Sequence, residues 1–113
     1  MGTENGATTD ADKIRIQNDL FRTTLKGGHI VVTIGISTRC DTGEVLRRVQ
    51  AYSAFNEAND PHHEHDFGAF ELGDETIFWK VDYYDKTIDR ASPNAADPDV
   101  TTRVLTLMLA EEY

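Results

Sequence analysis

The chain has 113 residues, a net charge of −9 from 20 acidic and 11 basic side chains, and one cysteine. That length predicts a single domain with one core and little room for a separate deep cleft. The acidic balance excludes free nucleic acid as a direct partner, because its phosphates would be repelled. The lone Cys40 excludes an internal disulfide, which fits a cytoplasmic location.

Residues 1–11 are small, polar and glycine-containing, and read as a disordered tail ahead of a domain spanning 12–113. They have neither the basic start nor the apolar centre of a secretory signal. No apolar run approaches the ~20 residues of a membrane span, so no membrane partner is expected.

Residues 12–26 read as a helix, with Ile14, Phe21 and Leu25 on one stripe and Leu20 beside them. Asp10 or Asp12 can cap its start, and Gly27-Gly28 ends it. In residues 29–37 Ile30, Val32, Ile34 and Ile36 alternate on one face, which predicts a strand. Asp41 and Glu44 open a second helix over 42–56, with Val45, Val49 and Tyr52 inward.

Two β-rich runs, 67–72 and 76–84, flank Gly73 and form a hairpin. In the second run Ile77, Trp79, Val81 and Tyr83 share one face, with Trp79 expected in the core. After a polar connection, Asp97 at a cap and Pro98 at a first helical position predict a last helix over 97–113. Val100, Val104, Leu107 and Met108 would be its buried stripe. The expected architecture is α+β, in the order α-β-α-β-β-α, with a three-stranded, mainly antiparallel sheet packed against helices.

Charge is distributed unevenly. Residues 13–55 carry seven bases and three acids, whereas residues 56–99 carry twelve acids and three bases. Such a segment fits the basic surface of a protein partner, and it also serves plain solubility. Asp82, Tyr84, Asp85 and Asp89 are the candidate partner-binding residues.

The densest motif is NDPHHEHDFG, residues 59–68. His62, His65 and Asp66 are a candidate divalent-metal set, and a small metal-dependent hydrolase is the alternative to a binding function. The spacing differs from HExxH, and Pro61 and Gly68 mark a loop, not a helix. The structural alternative uses Asn59 or Asp60 in an Asx turn, with His65 or Asp66 bonded to backbone amides. No Ser, Cys–His or phosphate-loop pattern supports other catalysis, so neither catalytic residues nor a cofactor are assigned.

The pieces NDPHxEHDFG, FWKxDYYD and SPxxADPxVTTRVLTxMLAEEY, in which x marks a variable position, resemble a small bacterial family of unknown function. The likeness covers roughly residues 12–113. That family is similar to cargo of alphaproteobacterial mobile elements, and the resemblance implies a genomic setting, not a mechanism. His63 takes a place that relatives fill with glycine, which leaves His62 and His65 as the patterned pair. A non-enzymatic inhibitor or regulator, of the anti-restriction or anti-CRISPR kind, is the function expected on these grounds.

Overall fold

Helix α1 (Asp10–Thr24) begins with a reciprocal cap: Thr9 Oγ1 accepts from Asp12 N, and Asp12 Oδ2 accepts from Thr9 N. The computed structural model describes residues 9–113. Most of the expected tail, residues 1–8, lies outside the described residues; residues 9–11 belong to this cap and the first turn. Ile14 and Phe21 face the core, but Leu20 is 63% exposed. Leu25 ends the helix in the left-handed region, at φ 61°.

Strand β1 (Gly28–Val32) is shorter than expected, because the chain turns into helix α2 (Ile34–Arg39) at Thr33. Alternation of Ile34 and Ile36 imitates a strand, yet Ile36 is fully buried and Ile34 is 77% exposed. The C-terminus supplies the cap that Thr33 lacks. Glu112 accepts from Gly35 N, Thr33 Oγ1 and Leu109 N, placing a carboxylate at the positive end of α2.

Helix α3 (Thr42–Gln50) starts on the Asp41 cap and buries Val45 and Val49. It stops six residues before the expected end at 56, because Arg22 Nη1 takes the carbonyls of Val49, Gln50 and Tyr52. Glu44 braces the outer side through Arg47 and Arg48.

The hairpin forms as expected, from β2 (Phe67–Leu72) and β3 (Glu75–Tyr84). The last segment does not. Residues expected in a helix over 97–113 form a 3₁₀ turn (Pro98–Val100), strand β4 (Thr102–Leu109) and a closing 3₁₀ turn (Ala110–Glu112). Asp97 does cap, accepting from Asp99 N, but it opens only a single turn.

The fold is therefore α+β with three helices and a four-stranded mixed sheet, ordered β1-β4-β3-β2. The expected three-stranded, mainly antiparallel sheet and its α-β-α-β-β-α order are wrong. β4 runs parallel to β1 and antiparallel to β3. The physical reason is burial on both faces. Arg103, Leu105, Leu107 and Leu109 line one side of β4, Val104 and Met108 the other, and all six are buried. A helix with the proposed stripe would have left Leu105 and Leu109 off the buried face; a central strand accommodates both sets.

One face of the sheet carries the core. Phe21, Ile36, Val45 and Val49 from the helices pack on Ile77, Trp79, Val81, Leu105, Leu107 and Leu109. Among the described residues, no helix contributes to a matching cluster on the other face. No helix among them is long and apolar enough to cross a membrane.

Candidate functional site

The histidine-rich loop is held by one polar face of α1. Arg15, Asn18, Asp19 and Arg22 are spaced by three, one and three residues, which puts them on one side of a helix. Arg15 Nη1 donates to the carbonyl of His63 at 3.1 Å, and Asn18 Nδ2 to that of Glu64 at 2.9 Å. Asp19 faces His65 Nδ1 at 2.9 Å and also receives Arg22 Nη2 at 3.1 Å. The guanidinium of Arg22 lies between the rings of Phe55 and Trp79, at 5.5 and 5.3 Å from their centroids.

Within the loop Asp60 is the organiser. It is 4% exposed, and its Oδ1 accepts from the amides of Glu64 and His65 at 3.1 Å each. These bonds curl the backbone so that His63 and His65 take positive φ values of 58° and 53°. The curl turns the His65 ring onto Phe55, stacked at 3.7 Å between centroids and 3° between planes. His65 Nε2 then stands 3.5 Å from Asp60 Oδ2. Both ring nitrogens therefore face carboxylates. Neutral imidazole has one N–H and donates to one of them; imidazolium donates to both.

Of the proposed metal set, His65 is turned toward α1, His62 is exposed, and Asp66 is half-buried at the start of the hairpin. Among the described residues, no three His, Cys, Asp or Glu side chains are grouped to hold a metal ion. Burial pushes the Asp66 carboxyl above its ordinary range, and the charges of Glu64 and Asp60 push the same way. Burial likewise raises the Tyr83 phenol far above its usual value, so it stays a neutral donor. Its hydroxyl donates to Glu64 Oε1 at 2.9 Å and accepts from Asn18 Nδ2 at 2.8 Å. A shallow cavity of about 400 Å³ opens beside Phe55, Glu57, Asp60, His63 and His65.

The partner-binding candidates divide into two groups. Asp82 and Tyr84 stand on the sheet face opposite the core, alternating with Val81 and Tyr83. Asp85 and Asp89 lie in the turn after β3, where Asp85 Oδ1 accepts from Asp89 N and Thr87 Oγ1. That bonding holds the Asp85 carboxyl below its usual range, the Asp89 amide contributing most. The open face also carries an aromatic group. Phe67 and Phe78 meet edge-on at 5.2 Å, and Tyr113, 76% exposed, lies 5.6 Å from Phe78. Lys80 pairs with Asp82 at 2.9 Å beside them. The aromatic group was missed from sequence, although Phe67 and Phe78 alternate with core residues and could have been read as a second apolar face.

No curated protein and no solved structure matches this chain. Residues 30–112 match one family model, and that stretch runs from Ile30 within β1 through the last 3₁₀ turn and includes the histidine-rich loop and the open face except Tyr113. The chain belongs to the family described as "Protein of unknown function (DUF3768)".

Proposed function

We propose that the protein is a non-enzymatic binding module that docks the open face of its sheet on the basic surface of a partner protein. One observation carries this reading: the helices pack on a single face of the sheet, and the other presents Phe67, Phe78 and Tyr113 beside Asp82 and Tyr84. Aromatic side chains supply anchors with large contact area, and acids around them steer a basic partner and fix its register. The net charge of −9 works in the same direction at longer range. The histidine-rich loop serves as a clasp in this reading, since His65 and Asp60 spend their polar atoms on α1 and on the loop itself. Proteins that handle nucleic acids offer basic surfaces of this kind, so an inhibitor of the anti-restriction or anti-CRISPR type, or a mobile-element regulator, is the finer form of the proposal.

Affinity capture from a bacterial lysate tests it, with wild-type protein beside Asp82→Asn and Tyr113→Ala. Both sites are outside the core, so the variants are expected to fold. The expected result is a basic protein retained by the wild type, weakened about tenfold by either variant and again between 50 and 500 mM salt. Capture that ignores both substitutions and salt rules out this face.

A further inference from the structure

A second site lies on the core side of the sheet, away from the open face, and stands independently of the binding reading. Arg103 of β4 is 4% exposed, yet among the described residues no carboxylate pairs with it. Its Nε donates to Asn18 Oδ1 at 2.7 Å, its Nη2 to the carbonyl of Ala95 at 2.7 Å, and its guanidinium rests on the Tyr83 ring. All these partners are neutral. Burial lowers the proton affinity of the group but does not discharge an arginine, and the Glu64 carboxylate, bonded to Tyr83 and not to Arg103, offsets only part of that penalty. A buried cation ordinarily has a counter-charge, because desolvation is otherwise uncompensated. The other buried arginine, Arg22, has one in Asp19.

A counter-charge in direct contact has a place to sit. Arg103 lines a cleft of about 160 Å³ between α1, the α1–β1 connection and the turn at Pro98. Its Nη1 has no hydrogen-bond partner among the described residues and is not sealed from solvent. Lys26, exposed and in no ion pair among the described residues, stands at the rim. Leu20, Phe21 and Pro98 form apolar walls, and the cleft accounts for Leu20, an apolar side chain left 63% exposed on α1.

We propose that this cleft binds a small organic carboxylate with a short branched apolar tail, the carboxylate against Arg103 and Lys26 and the tail against Leu20, Phe21 and Pro98. The volume suits it. At roughly 30 Å³ per water the cleft holds about five waters, the space of a four- or five-carbon acid. A planar guanidinium fork matches a carboxylate better than it matches a compact ion.

Sodium isovalerate is the probe, titrated into the full chain by NMR at constant ionic strength. Isovaleramide, its neutral counterpart, and inorganic phosphate are run in parallel. The expected result is saturable shifts confined to Leu20, Lys26, Gly27, Thr101 and the Arg103 side chain. Isovaleramide should bind at least about tenfold more weakly, and Lys26→Gln should weaken isovalerate about fivefold. Lys26 is exposed, so that variant keeps the fold even if replacement of Arg103 does not. Equal shifts from isovaleramide would reduce the cleft to an apolar dimple. Phosphate binding as tightly as isovalerate would show that the cleft reads negative charge alone, which overturns a site for an organic carboxylate. Absence of saturation up to about 20 mM, where the binding free energy is only about 2 kcal/mol, overturns the site.

Discussion

His65 sits in a backbone conformation that a β-carbon disfavours, and the neighbouring side chains hold it there. Asp60 binds its amide, Asp19 its Nδ1, and Phe55 the face of its ring. The next residue bears the cost of that crowding. Asp66 ionises beside Glu64 and Asp60 in a half-buried site, so its folded-state pKa is raised above the unfolded value. For an acid shifted upward, folding is favoured while the group is protonated, and stability falls as pH rises through the raised pKa. Asp66→Asn is therefore expected to raise the melting temperature at pH 7 and to leave it nearly unchanged at pH 3. Paired thermal melts at the two pH values check this; equal effects at both would remove the electrostatic explanation. Sequence reading singled out His65, Asp66 and Asp60 but passed over Asn18, Asp19 and Arg22. Those three looked like the solvated side of an amphipathic helix, and their partners lie 46, 46 and 27 residues away.

Among the elements, the hairpin shows how far local pattern carries. Period-two alternation in 76–84 puts Ile77, Trp79 and Val81 inward, and the structure keeps that register. Gly68 lies opposite Trp79, and a β-carbon there would run into the indole. Gly68→Ala is expected to destabilise the fold by about 1–3 kcal/mol, the usual cost of overpacking a core. Urea denaturation followed by Trp79 fluorescence measures it, and a loss below about 0.5 kcal/mol would mean that the indole moves aside freely. Capping signals were legible at Asp41 and Asp97, but a cap marks where a helix can start and does not set its length. The clearest misreading, β4 as a helix, came from apolar residues crowded enough to satisfy both periods. Only its position between two strands decides the matter, and strand neighbours are a property of the whole chain. The α2 turn was hidden for a similar reason: its cap, Glu112, comes from 77 residues away.

For the molecule as a whole, strand order sets where stability resides. β3 and β4 are flanked on both sides, whereas β1 and β2 are edges. The core lies mainly under Ile77, Trp79, Val81, Leu105, Leu107 and Leu109 of the central pair. Native-state hydrogen exchange should therefore find the slowest amides at 77–83 and 103–109, and faster opening at 28–32 and 67–72. Uniform protection across all four strands would show that the sheet opens as one unit. One-sided layering leaves Phe67, Phe78 and Tyr113 on a face that the helices do not cover.

The parallel pairing of β1 with β4 also bears on how the protein is made. Gly28 meets Arg103, so β1 waits for about 75 more residues of synthesis before its neighbour exists. At 5–20 residues per second the delay is roughly 4–15 s. For about the last third of that interval Ile30, Val32 and Trp79 have all been synthesised while the strand that separates β1 from β3 has not. The nascent chain then holds two unsatisfied strand edges that could join each other or a neighbouring chain. Folding is thus deferred until translation has passed Leu109, and a chain stalled earlier is a substrate for chaperones or proteases.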